Sequence, residues 1–337
     1  MPPEHLDPAL ITFAGGMMMF SIIACMNVLH MRRSGPVLPY EPRRPVPWGA
    51  MGGVLAMTFL LFAITAALSR GGGEGTSRAA DPYTLAIALL EQSFIVGAFA
   101  FAIWLFTKGT ARDFGLPSSW LQCARDVGIG GAAFLAALAP VLMLQQLLMS
   151  IFFPKQTSGH PLIKMVEESP PSAAVFILTG FAAVVVAPVC EEIAFRLLLQ
   201  GWLERWEDER LGWRRPPINV ETEAMLPETI DATVPSNEPA DVLPLPAVWA
   251  KEEVATNPPA RGVFGLPYGW FPIIVSSVAF GLAHIGYGPE PVPLFFLALV
   301  LGYLYQRTHR IVPSIVAHAL FNSFTMILLW RMIYHRG

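Results

Sequence analysis

Three short groups of polar residues stand inside otherwise apolar stretches of this 337-residue chain. The first is Pro188-Val189-Cys190-Glu191-Glu192-Ile193-Ala194-Phe195-Arg196. Glu192 and Arg196 are four residues apart, so on a helix they share a face and can pair. Glu191 points about 100° away from Glu192. One carboxylate can therefore be structural while the other faces a cavity. The bland reading is a buried ion cluster that holds helices together. It suits Glu192 and Arg196 well, and it suits Glu191 less well, because Glu191 has no local countercharge. The second group, Phe280-Gly281-Leu282-Ala283-His284, puts a histidine at the end of a stretch of small residues. Small residues let helix backbones approach closely, and a lone histidine there is commonly an inter-helix hydrogen bond. The third group, His318-Ala319-Leu320-Phe321-Asn322, sets two polar side chains four apart on one face. Its plain alternative is a polar staple worth about 0.6 kcal/mol.

Together the groups offer a carboxylate, two imidazoles and an amide, which suits a hydrolase. A glutamate can take a proton from water, a histidine can orient that water, and a His–Asn pair can stabilise an oxyanion. Glu191, His284 and His318 can equally be written as a His₂Glu metal set. The chain has no HExxH helix, no GxSxG elbow and no Cys/His pair suggesting a thiol nucleophile. Cys25, Cys123 and Cys190 lie in or beside apolar runs without CxxC spacing, and read as small buried hydrophobes.

The elements that must carry these groups are membrane helices. Apolar residues make up 54% of the chain and charged residues only 14%, against about 25% charged in soluble domains. Mean hydropathy is +0.50. About 20 apolar residues cross a bilayer core, and eight candidate spans can be drawn: 10–30, 48–68, 84–106, 127–153, 172–200, 271–286, 291–306 and 311–331. The sixth and seventh are short, and form a tight hairpin or a partly re-entrant pair. Glu91 in the third lies near its end or faces protein. The expected fold is an all-α polytopic bundle of about eight spans with the active-site cavity inside it.

The start of the chain reads as a retained first span, not a cleaved signal, and the end shows no prenylation box of its own. Placing the N-terminus outside leaves 15 Lys and Arg in inside connections and 6 in outside ones, with Arg196 inside a span, which favours both termini outside. No basic cluster suggests nucleic acid. Residues 216–260 carry nine prolines and eight acids against one base, Lys251, and cannot bury enough apolar surface to fold alone. They read as a linker insertion, with a docking or regulatory role as the sharper alternative. Intramembrane Glu and His also mark proton relays in transporters, but the chain lacks the two similar halves expected of many transporters.

In this order the motifs resemble the CPBP family, the type II CAAX prenyl endopeptidases and their bacteriocin-processing and immunity relatives. That family's pattern is Glu-Glu-x-x-x-Arg, Phe-x-x-x-His and His-x-x-x-Asn. It is met by Glu191-Glu192-Ile-Ala-Phe-Arg196, Phe280-Gly-Leu-Ala-His284 and His318-Ala-Leu-Phe-Asn322. The resemblance covers about 172–330. It implies an N-terminal transmembrane region over 1–171 and a protease domain over 172–334 that contains the insertion. It further implies that Glu191 and His284 activate water, that His318 and Asn322 stabilise the oxyanion, and that Glu192 and Arg196 support them. The cofactor it allows is none or a divalent metal such as zinc. The partners are membrane lipids and a membrane-proximal or lipidated peptide. A non-catalytic scaffold or immunity protein of the same fold is the alternative.

Overall fold

The computed structural model describes residues 8–71, 82–152, 173–213, 258–285 and 289–334. Most of the 216–260 insertion lies outside them. Eight helices follow one another among the described residues: α1 Pro8–Ser34, α2 Ala50–Gly71, α3 Pro82–Thr107, α4 Trp120–Phe152, α5 Ala173–Leu211, α6 Trp270–Ala283, α7 Pro291–Thr308 and α8 Val312–Tyr334. No strand forms among these residues, and a lone antiparallel bridge joins Arg261 to Pro267. Four helices are long and apolar enough to cross a membrane, over Ile11–Ser34, Trp120–Phe152, Ala173–Leu211 and Val312–Arg331. The chain is an all-helical, multi-pass integral membrane protein, as the hydropathy pattern led us to expect. One detail differs: Glu91, ten residues into α3, is exposed, neither near a helix end nor turned into the protein. Of the cysteines, Cys190 is buried, whereas Cys25 and Cys123 are only half-buried.

Helix lengths set the depth of the chemistry. The 39 residues of α5 rise about 58 Å, well beyond a hydrocarbon core of about 30 Å. Its last turns, Gly201–Leu211, are accordingly rich in charge, and Gly212 closes the helix in the left-handed region at φ 63°. By contrast, α6 has 14 residues and rises only about 21 Å. A helix this short does not cross such a core, so the C-terminal end of α6, packed against α7, lies at depth. A Cβ on Gly281 would sit 2.8 Å from the Pro291 carbonyl oxygen, and one on Gly130 would sit 2.6 Å from that of Pro313. These two glycines allow the α6–α7 and α4–α8 backbones to meet.

Two apolar clusters flank the middle of the bundle. One gathers Trp48, Phe195, Leu199, Phe280 and Tyr305 from the α1–α2 connection, α5, α6 and α7. The other gathers Phe134, Leu138, Leu297, Leu301, Phe321 and Phe324 from α4, α7 and α8. In lipid such helices gain little from the hydrophobic effect and are held by close packing and buried polar bonds.

The polar bonds concentrate at one end. The connection 35–49, with prolines at 36, 39, 42, 45 and 47, lies across that end as an extended strap. Arg43 donates to the Tyr305 hydroxyl and to Glu204, each at 2.6 Å. Glu41 accepts from Arg310, whose Nε also meets both oxygens of buried Asp126. Loops 35–49, 108–119 and 309–311 and the charged end of α5 are thus gathered together, and they hold seven of the fifteen cations counted on the inside: Arg43, Arg44, Lys108, Arg112, Arg205, Arg210 and Arg310.

Candidate active site

The carboxylate pair rides on an irregular part of α5. Two π-helical segments, Ala182–Val186 and Ile193–Gln200, bracket a short α-helical piece, Ala187–Glu192. π-segments re-aim side chains and are common at functional sites. Here the first one has a local cause. The Ala187 N–H reaches back five residues to the Ala182 oxygen. By the same register the Ala183 oxygen would receive its bond from residue 188, which is proline and has no N–H. That orphaned carbonyl is met from α8: the Asn322 amide donates to it at 2.8 Å.

The short piece splits the two carboxylates as the sequence suggested. Glu192 is fully buried and accepts from Arg196 Nε at 3.1 Å. Arg196 donates onward to the Ser276 hydroxyl at 2.8 Å, Ser276 donates to the Phe195 carbonyl, and the guanidinium lies 5.3 Å from the Phe280 ring centre. The other oxygen of Glu192 faces His318 Nδ1 at 3.1 Å. Its role thus reaches past the salt bridge with Arg196, since it also orients an imidazole.

Glu191 turns into a cavity of about 240 Å³. Its side chain is 19% exposed, and its Oε2 lies 3.8 Å from His318 Nε2 and 4.0 Å from His284 Nε2. That buried oxygen makes no hydrogen bond to a described residue. His284 Nδ1 bonds the Phe280 carbonyl at 2.9 Å. Since a carbonyl and a carboxylate can only accept, both histidines hold their proton on Nδ1, and in the neutral form each aims a bare Nε2 at Glu191. Three electron-rich atoms thus converge at separations too long for direct hydrogen bonds. The arrangement suits a small proton-bearing species held between them.

All four residues expected to be catalytic (Glu191, His284, His318 and Asn322) line this one cavity. The metal set fares less well. Tetrahedral zinc with bonds of about 2.0–2.1 Å holds its donors about 3.4 Å apart, whereas the spacings here are 3.8 and 4.0 Å. Among the described residues no three His, Cys, Asp or Glu side chains are grouped to hold an ion. The set has the right donor types but stands too open for zinc.

The cavity also holds Glu290, Gln145 and Thr325, which spacing alone did not single out. Glu290 is buried just before α7. It follows the short sixth span, and an acid beside such an apolar hairpin was the available signal. Gln145 comes from α4, a helix without motif signal. Only the packing of α4 on α7 and α8 brings it here.

Glu191, His284, His318 and Asn322 thus meet around one cavity inside a helical membrane bundle, a set able to activate water for hydrolysis. Among known families, residues 259–324 match the family model described as type II CAAX prenyl endopeptidase Rce1-like. The match covers a minor part of the chain and takes in the second and third of the three motifs on which the CPBP resemblance rests. The matched stretch contains His284, His318 and Asn322; Glu191 and Glu192 lie outside it. Over that stretch the chain is similar to type II CAAX prenyl endopeptidases. No curated protein and no solved structure matches the chain.

Proposed function

We propose that the protein hydrolyses a peptide bond within the membrane, with Glu191 as general base toward a water held between it and His284. The observation that carries this reading is the unpartnered Glu191 oxygen within 4.0 Å of two imidazole nitrogens. Water gives one proton to Glu191 as its oxygen bonds the scissile carbonyl carbon. The C–N bond then breaks, and the Glu191 proton passes to the leaving amine, so the carboxylate is restored. For this step His318 acts in its imidazolium form, with a proton on Nε2 as well as on Nδ1, so that Nε2–H meets the developing oxyanion. Glu192 on Nδ1 balances that charge, and Arg196 in turn balances Glu192. Asn322 has one amide hydrogen committed to Ala183 and a second to offer the oxyanion. Dry surroundings strengthen each of these interactions. The substrate class that fits the depth and the largely apolar lining is a membrane-proximal or lipidated peptide. The protease domain would be residues 172–334.

The test is cleavage of a mixed peptide set that includes a farnesylated CAAX peptide. Wild type is run beside Glu191→Ala and His284→Ala, with and without a chelator. The expected result is cleavage by wild type in both conditions, none by Glu191→Ala, and a loss of about 10²–10⁴-fold in His284→Ala. Loss of wild-type activity on chelation would contradict a water-only mechanism and point to a metalloprotease. Absence of cleavage by a well-folded wild type would favour the scaffold or immunity role.

A further inference from the structure

A second and larger cavity, about 690 Å³, lies apart from the catalytic groups in the groove between α1, α4 and α7. Its α4 wall runs from Arg125 to Val141, 17 residues spanning about 24 Å of helix. Apart from Cys25, that wall and the facing side chains are apolar until the strap end of the bundle. There Arg32 and Arg125 close it, and no acid lines it. Arg32 also lines an adjoining polar cavity of about 340 Å³, with Arg307, Tyr303, Gln306 and Trp270, again without an acid.

The arginines that line these two cavities are only partly paired among the described residues. Glu41 and Asp126 serve Arg310, and Glu41 also stands 3.6 Å from Arg125. Arg307 spends its Nε on the Leu38 carbonyl and lies over the Tyr40 ring, and it pairs with no carboxylate among the described residues. Arg32 is exposed and forms no ion pair with a described residue. Of the three arginines that line the two cavities (32, 125 and 307), only Arg125 has a carboxylate within 4 Å among the described residues, Glu41 at 3.6 Å. Trp270 and Tyr303 stand at the junction of the two cavities, the position that amphipathic aromatics take at a membrane interface. Basic pockets between membrane helices attract anionic headgroups.

We propose that this groove binds an anionic membrane phospholipid, its phosphate at Arg32 and Arg307 and one acyl chain along α4 toward Val141. Because Val141 lines both this groove and the catalytic cavity, the bound chain ends against the wall of the active site. The site stands independently of the peptidase reading.

The experiment is a competition of phosphatidylglycerol against phosphatidylcholine on the full-length protein, read by native mass spectrometry. Wild type is expected to retain phosphatidylglycerol about tenfold over phosphatidylcholine, and Arg32→Gln and Arg307→Gln to cut that preference about fivefold each. Arg32→Gln breaks no ion pair with a described residue, so its fold is safe. Gly128→Leu tests the tail: its Cβ meets open space, so the added side chain occupies the groove without a backbone clash. It is expected to lower retention of both lipids with the arginines intact. Equal retention of the two lipids by wild type, or a preference unchanged in Arg32→Gln, overturns the proposal. Displacement of phosphatidylglycerol by a farnesylated peptide also overturns it, by assigning the groove to a substrate's tail.

Discussion

At the scale of single residues, the site depends on polar atoms that have only one suitable partner. Arg196 is fully buried and holds Glu192 in place. Arg196→Met leaves that carboxylate buried without its countercharge, with only His318 Nδ1 to bond it, and is expected to cost about 3–5 kcal/mol, read as a fall in melting temperature in detergent. Arg196→Lys restores the charge without the fork that reaches both Glu192 and Ser276, and is expected to recover only part of it. Asn322→Ala separates two roles in one measurement. It orphans the Ala183 carbonyl, at about 1–3 kcal/mol, and removes an oxyanion donor, at about 10²–10³ in kcat. A loss of stability with unchanged kcat would assign Asn322 to the helix alone. The pairing of Glu192 with Arg196 was legible from their spacing of four. The contact between Glu192 and His318 was not, because it joins residues 126 apart through packing. The need for Asn322 to serve Ala183 was also hidden, since it arises from a π-register that happens to meet a proline.

Elements decide how deep and how firmly those residues stand. Apolar run length located all eight helices, six of them to within four residues at each end, because a membrane span leaves a strong hydropathy signal; α4 begins seven residues before the expected 127 and α5 runs eleven past the expected 200, where polar turns continue the helix beyond the apolar run. The two π-segments of α5 left no such signal, as an extra residue per turn does not disturb a run that is apolar all round. The connections were equally quiet, and the strap 35–49 shows its function only in its partners. His309, at the α7–α8 connection with φ 49°, is one of them. It bonds the Glu41 carbonyl through Nδ1 and lies 3.5 Å from Glu204. Burial, with help from Arg43, pushes its imidazole down to about 4. The unfolded chain takes up this proton near pH 6.5 and the folded chain only near pH 4, so the unfolded state binds more protons between them. Stability from His309 is therefore complete above pH 6.5 and is lost as pH falls from 6.5 to 4. Melting temperature should decline through that window in wild type and decline less in His309→Gln. A flat wild-type profile would contradict a buried neutral imidazole.

For the whole molecule, the question is how a membrane bundle keeps a hydrolytic site in working order beside a long insertion. The ends of the insertion are held at one place. Trp213 and Tyr268 pack with ring centres 5.0 Å apart, Tyr268 donates to Asp208 at 2.6 Å, and Glu207 accepts from Val263 and Gly269. A loop whose ends are already joined adds little closure entropy. Replacing residues 216–256 by a short Gly/Ser linker is therefore expected to leave melting temperature and peptide cleavage unchanged; lost cleavage with intact folding would give the segment a docking role. The central claim rests on a single oxygen atom. The most direct measurement is the rate at which Glu191→Gln cleaves a wild-type substrate in lipid nanodiscs, with melting temperature recorded alongside. Gln keeps the shape and removes the base. A fall in rate of at least about 10²–10⁴-fold, at unchanged melting temperature, is the expected result. Cleavage at the wild-type rate would contradict the assignment of Glu191 as the group that activates water.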